Sequence, residues 1–155
     1  MAHYLTALIG PPAALDAFAR ARKLHAPISL PQGLAILPLR DKHIDSFLSP
    51  PLTGYFEGFN YLSEQLALEL KQASEGCSVV YIETEYFGGV GSQGAALFSD
   101  GRIVFGPSAA GAGPINEALH RLGVKVISPA YDEFEAVGLN RHGHATVWLG
   151  KLDDD

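Results

Sequence analysis

An Asp-Gly pair set between apolar runs limits the fold of this chain more than any other feature. Ala95-Ala96-Leu97-Phe98 leads through Ser99-Asp100-Gly101-Arg102 into Ile103-Val104-Phe105. A tight hairpin turn of type I′ needs positive φ at both central positions, which Asp-Gly supplies. The pattern therefore predicts two adjacent antiparallel strands. Just upstream, residues 78–87 (Ser-Val-Val-Tyr-Ile-Glu-Thr-Glu-Tyr-Phe) are β-branched and aromatic enough for a central strand.

The remaining elements are read from periodicity and punctuation. Tyr4, Leu5, Ala7, Leu8 and Ile9 form a first strand stopped by Gly10-Pro11-Pro12. Leu15, Phe18, Ala19 and Arg22 fall at helical spacing over 13–24. Residues 34–39 read as a strand that Pro38 places at a sheet edge or ends. Asp41 starts a short helix through Phe47, and Phe59, Leu62, Leu66, Leu70 and Ala73 share the stripe of a further helix that Gly76 closes. Residues 106–113 are expected as a loop. Pro114 and Gly123 bracket another helix, Asp132 with Glu135 caps one last helical turn, and Val147-Trp148-Leu149 is expected as a final strand. Together these predict one domain over 1–155, an α+β two-layer fold with a mainly antiparallel or mixed sheet and helices packed on one face.

Charge narrows the partners. Lys and Arg number 11 against 17 Asp and Glu, a net charge of −6. Nucleic-acid binding draws on basic residues near phosphates, so the balance argues against it and favours a basic protein partner. The N-terminal residues lack the basic and apolar regions of a secretion signal, and no apolar run reaches the roughly 18 residues of a membrane span. The expectation is a cytoplasmic protein, monomeric or a small homo-oligomer, with Asp153-Asp154-Asp155 as a solvated tail. The lone Cys77 permits no internal disulfide and is expected as a buried, inert thiol.

Few residue groups carry chemistry. Gly89-Val90-Gly91-Ser92-Gln93-Gly94 matches the dinucleotide pattern G-x-G-x-x-G, but that use needs a helix directly after it, and a strand follows here. The glycines are expected to make a tight bend or bulge. Glu83 and Glu85, two apart in a strand, face the same way beside Tyr81 and Phe87. With Val80, Ile82 and Tyr86 marking the core side, both carboxylates are expected on the solvent face. A rarer use of such a pair is acid–base chemistry, with His142 as a third group and the glycine loop 88–94 shaping a pocket. His142-Gly143-His144 is the one histidine pair, expected to be structural, and neither a cofactor nor a metal is predicted. Tyr55-Phe56-Glu57-Gly58-Phe59-Asn60-Tyr61 carries more rings than one helix face buries, so Tyr55 and Tyr61 are candidate interface anchors.

Several segments are familiar as a set: Glu83 to Gln93, Pro114-Ile115-Asn116-Glu117-Ala118-Leu119 with Leu122-Gly123-Val124, Asp132-Glu133-Phe134, Gly138-Leu139 and Arg141-His142, with part of 30–34. This set resembles a family of small uncharacterised bacterial proteins. Gly143 stands where that pattern carries a basic residue. The resemblance implies no catalytic role. Its size and character are similar to those of immunity proteins that neutralise secreted bacterial toxins. The expected function is thus protein binding through Tyr55, Tyr61, Glu83, Glu85, Asp132 and Glu133, and the alternative is a small enzyme or metal-dependent module using Glu83, Glu85 and His142 beside the glycine loop 88–94.

Overall fold

In the computed structural model, which describes residues 2–88 and 90–150, six antiparallel strands form one sheet in the order β2-β3-β1-β4-β5-β6. They are β1 (Ala2–Gly10), β2 (Ile28–Ser29), β3 (Ala35–Leu39), β4 (Ser78–Phe87), β5 (Val90–Ser99) and β6 (Arg102–Ala110). The Asp-Gly hairpin joins β5 to β6 as expected, with Asp100 and Gly101 both at positive φ. Six α-helices, α1 (Pro12–Ala21), α2 (Asp41–Phe47), α3 (Glu64–Ala73), α4 (Pro114–Leu122), α5 (Glu133–Ala136) and α6 (Ala145–Leu149), and two 3-10 turns at Pro31–Gly33 and Leu139–Arg141 complete the described chain. No described helix is long and apolar enough to cross a membrane.

The α+β class and the antiparallel sheet match the sequence. The helices, however, cover both faces of the sheet. Leu8, Tyr81, Ala96 and Phe98 point to a core closed by Leu15 and Phe18 of α1, Ile44 of α2 and Leu66 and Leu70 of α3. Their strand neighbours Leu5, Ala7, Ile9, Val80, Ile82, Ala95 and Leu97 point the other way, onto Ile115 and Leu119 of α4, Val137 and Trp148. A central strand with apolar residues at every position must be covered on both sides, which is why β1, β4 and β5 read as continuous runs.

Four local expectations change. Phe59 and Leu62 lie before α3, whose N-cap is Ser63, its side chain accepting from the Leu66 amide. Strand β5 begins at Val90, absorbing the glycine segment, and β6 continues to Ala110 through the stretch read as a loop. Residues 145–149 form a helix instead of a strand, because Ala145, Trp148 and Leu149 recur at one, four and five and so bury one face. Pro38 sits inside β3 opposite Ala7, but β2 pairs only with Ala35 and Ile36. Its missing N–H therefore meets no β2 partner, and at that position the strand is in effect an edge. The acidic tail and Gly89 lie outside the described residues.

Candidate functional site

The most unusual local structure is the segment 48–63 between α2 and α3, sixteen residues with no helix or strand. Loops of this length inside a domain are uncommon and tend to be functional or disordered. A buried carboxylate is one of its anchors. Glu83 projects from the middle of β4 and is only 6% exposed. Its Oε1 accepts from the Asn60 backbone N–H at 2.6 Å. Its Oε2 accepts from the Tyr61 N–H at 2.9 Å and from the Tyr81 hydroxyl at 2.5 Å. Burial pushes the Glu83 pKa up, and the hydrogen bonds from Tyr81, Asn60 and Tyr61 oppose that shift. The expectation that Glu83 faces solvent therefore fails. Thr6 and Glu83 are register partners on β1 and β4, and the loop folds over that part of the sheet face.

The glycines of the 89–94 segment explain how the loop comes so close. Phe59 lies under it with its ring 6.3 Å from that of Tyr81. A Cβ on Gly94 would stand 2.6 Å from the Phe59 ring. A Cβ on Gly91 would stand 1.9 Å from the Glu85 carbonyl oxygen, and one on Gly58 would stand 2.5 Å from the Ala109 Cβ. Each glycine permits a backbone or ring approach within the sheet and its covering loop. None opens a helix, so the dinucleotide use has no structural support.

Around this anchor the surface is mixed. Glu85 is exposed and accepts from Asn60 Nδ2 at 3.1 Å. Tyr55 is 50% exposed on the loop, and Phe87 is 55% exposed at the end of β4, its ring 6.3 Å from that of Tyr4. Tyr61 is half-buried and shares a 3.1 Å hydrogen bond with the Tyr4 hydroxyl. That bond and burial raise the Tyr61 pKa well above its ordinary value. Phe87 was not among the candidates from sequence; its position two beyond Glu85 on the same strand face was the available signal.

Asp132 and Glu133 lie elsewhere. Asp132 caps α5 by accepting from the Glu135 N–H at 2.9 Å and takes a second bond from Asn116 Nδ2 of α4. Glu133 stands 3.5 Å from the His120 ring. Helices α4 and α5 cover the opposite face of the sheet, so the six expected binding residues do not form one surface. Asn60 ties Glu85 to the loop that carries Tyr55 and Tyr61, Glu83 lies beneath Asn60 and Tyr61, and Asp132 and Glu133 are separate.

The alternative set also fails to converge. Glu83, Glu85, Asn60, Gln93 and Gly94 surround a niche of about 10 Å3, room for roughly one water. His142 packs edge-on against Trp148 at 5.0 Å, and its carbonyl accepts from the Trp148 indole. No group of three or more His, Cys, Asp or Glu among the described residues is placed to hold a metal ion. Cys77 is half-buried, its thiol donating to the Ala73 carbonyl at 3.4 Å, and burial raises its pKa; this is an unreactive setting.

His144 is placed differently. Strand β3 leaves β1 at the Leu39–Thr6 pair and turns into Arg40 and α2. Beyond that point the Tyr4 amide donates to the Gly143 carbonyl at 2.6 Å. A cleft of about 240 Å3 opens where the two meet, lined by Tyr4, Thr6, Leu39, Arg40, Asp41, Tyr61, His144 and Ala145. Sequence reasoning missed it because its residues come from four separate segments.

Comparison of the chain with protein-family models, curated proteins and solved structures finds no match.

Proposed function

We propose that this is a non-enzymatic binding protein of the bacterial cytoplasm whose partner is a basic protein, in the manner of an immunity protein covering the active site of a cognate toxin. The observation that carries this is the sixteen-residue loop 48–63 pinned by the buried Glu83 carboxylate. Burying a carboxylate to order an irregular segment is costly, and a preorganised recognition loop recovers that cost on binding because little freedom is left to lose. The recognition surface is Tyr55, Asn60, Glu85 and Phe87, with Tyr61 and Glu83 as its support. Exposed rings beside acceptors suit a partner rich in Lys and Arg, and the net charge of −6 favours such an encounter. The size and acidic character of the chain, similar to those of immunity proteins, agree with this function.

The enzyme alternative draws less support. Glu83 has its oxygens taken by three hydrogen bonds, and His142 packs on Trp148 instead of facing the glutamates.

The test is capture from native lysate on the wild-type chain and on a Tyr55→Ala/Phe87→Ala variant. The wild type is expected to hold one basic protein stoichiometrically. The variant, with an unchanged Tm, is expected to bind it about 30-fold or more weakly, the loss typical of an aromatic anchor. Recovery of no stoichiometric partner, or equal recovery by both chains, overturns the proposal.

A further inference from the structure

The cleft between β1, α2 and α6 has a feature that the protein-binding function does not use. Thr6 is only 5% exposed and lines the cleft, yet its hydroxyl has no hydrogen-bond partner among the described residues. Buried polar groups in native folds are normally satisfied by protein, water or ligand, because an orphaned one has lost its hydration without replacement. Thr6 therefore points to a guest in the cleft. The space, about 240 Å3, far exceeds the roughly 10–15 Å3 that one water needs. It falls short of the roughly 300–1,000 Å3 of drug-sized sites, so the guest is small.

The charges around the cleft set the sign of that guest. Asp41 stands on its wall at the start of α2. One Asp41 oxygen accepts from the Lys42 N–H at 3.0 Å, and the other accepts from no described residue. The Tyr61 pKa is raised by the bond to Tyr4 and by burial, and further by the negative charges of Asp41 and Glu83. Two carboxylates thus act on the same wall. Arg40 also lines the cleft but is already engaged, so its guanidinium is not open to a guest. His144 is exposed there, and an uncharged imidazole offers one acceptor nitrogen. The uncommitted groups are therefore mainly oxygens: the Asp41 carboxylate, the Thr6 hydroxyl and the lone pairs of the Tyr4–Tyr61 pair. Such a set calls for a cation rich in N–H donors. A bare metal ion suits it poorly, since no group of three or more His, Cys, Asp or Glu among the described residues is placed to hold one. Leu39, Ala145 and the two tyrosine rings supply wall for a short carbon chain.

We propose that this cleft binds a primary alkylammonium group, its N–H donors shared between the Asp41 carboxylate and the Thr6 hydroxyl and its carbon chain packed on Leu39, Ala145 and the two tyrosines. A free small amine and a lysine side chain present the same group, and a lysine is the guest that a basic protein would bring. The chemistry of the cleft stands whether or not the Tyr55–Phe87 surface binds a protein.

The experiment is an amide NMR titration of the full-length chain with n-butylammonium, butyrate and n-butanol, and with lysine blocked as its Nα-acetyl N-methylamide. n-Butylammonium is expected to give saturable shifts at Thr6, Tyr61 and Ala145, with a Kd on the order of millimolar, as suits so few ligand atoms. Butyrate, of the wrong charge, and n-butanol, of none, are expected to bind about tenfold or more weakly. Saturable shifts at the same residues with blocked lysine identify a lysine side chain as a guest; binding of n-butylammonium alone identifies a free amine. Thr6→Val, which keeps shape and removes the hydroxyl, and Asp41→Asn, which removes the charge, are each expected to weaken the amine about fivefold or more. Asp41 is exposed, so its variant carries the test if the Thr6 variant does not fold. No saturation by n-butylammonium or blocked lysine, equal binding of butyrate or n-butanol, or unchanged affinity in the folded variants overturns the proposal.

Discussion

Replacing Glu83 with glutamine keeps the size of the side chain and removes its charge and one of its two acceptor oxygens. Three donors converge on this carboxylate: the Asn60 and Tyr61 backbone N–H groups and the Tyr81 hydroxyl. The best placement of the amide puts its oxygen where Oε2 stood, serving Tyr61 and Tyr81, and turns its NH2 toward the Asn60 N–H. One donor is then stranded, at about 1–3 kcal/mol, and the two surviving bonds lose their charge-assisted strength. Relief from burying a charge offsets part of this, leaving a net loss of about 2 kcal/mol and a Tm drop of about 4–8 °C for a domain of this size.

The pH dependence of that loss has a definite sign. Burial raises the Glu83 pKa above its ordinary value of 4.5, so the folded chain holds this proton more tightly than the unfolded chain. The stability linked to it is fully present below the unfolded value and is lost as pH rises through the folded value. The gap between wild type and Glu83→Gln is therefore larger at about pH 4.5 than at about pH 7.5. Calorimetry at both pH values measures the gap, and hydrogen exchange at residues 56–62 shows whether the loop loosens first. A variant as stable as wild type at both values, or a gap that widens toward pH 7.5, refutes the argument that Glu83 is a buried anchor for the loop.

Two further perturbations test the packing. Gly94→Ala places a Cβ 2.6 Å from the Phe59 ring and is expected to destabilise the fold by about 1–3 kcal/mol; chemical denaturation checks this, and an unchanged midpoint would mean that Phe59 does not lie against β5. His3, with its ring nitrogens at the Thr84 hydroxyl and the Leu139 carbonyl, has its pKa lowered, chiefly by burial. Its contribution is present above the ordinary value of 6.5 and is lost as pH falls through the lowered folded value. An imidazole NMR titration with its midpoint at or above that ordinary value would contradict this placement.

Much of the architecture was legible because it is written in local rules. The Asp-Gly turn needs positive φ wherever it occurs, so the β5–β6 hairpin follows from two residues. The apolar stripe of α4 between Pro114 and Gly123, and the Asp132–Glu135 cap of α5, follow from helix geometry alone. Runs such as 78–82 identify a buried strand but not how many layers bury it, and for that reason the second helical layer went unread. Residues 145–149 were too short for periodicity to separate strand from helix, and packing of Ala145 and Trp148 decided the matter.

The site was least legible because its parts meet only across long sequence separations. Strand alternation put Glu83 and Glu85 on one face, as the structure has them, yet nothing local says that the segment 55–61 folds back over Glu83 and leaves Glu85 in solvent. One carboxylate thus becomes an internal anchor and its neighbour a surface acceptor, because the loop backbone at Asn60 and Tyr61 settles on Glu83 and only the Asn60 side chain reaches Glu85. Likewise the chain determines that Thr6 lies in a strand, while the departure of β3 at Leu39 and the arrival of Gly143-His144 determine that its hydroxyl lines a cleft. Propensity and pattern act within a few residues; burial and hydrogen-bond satisfaction are settled between segments that only the folded chain brings together.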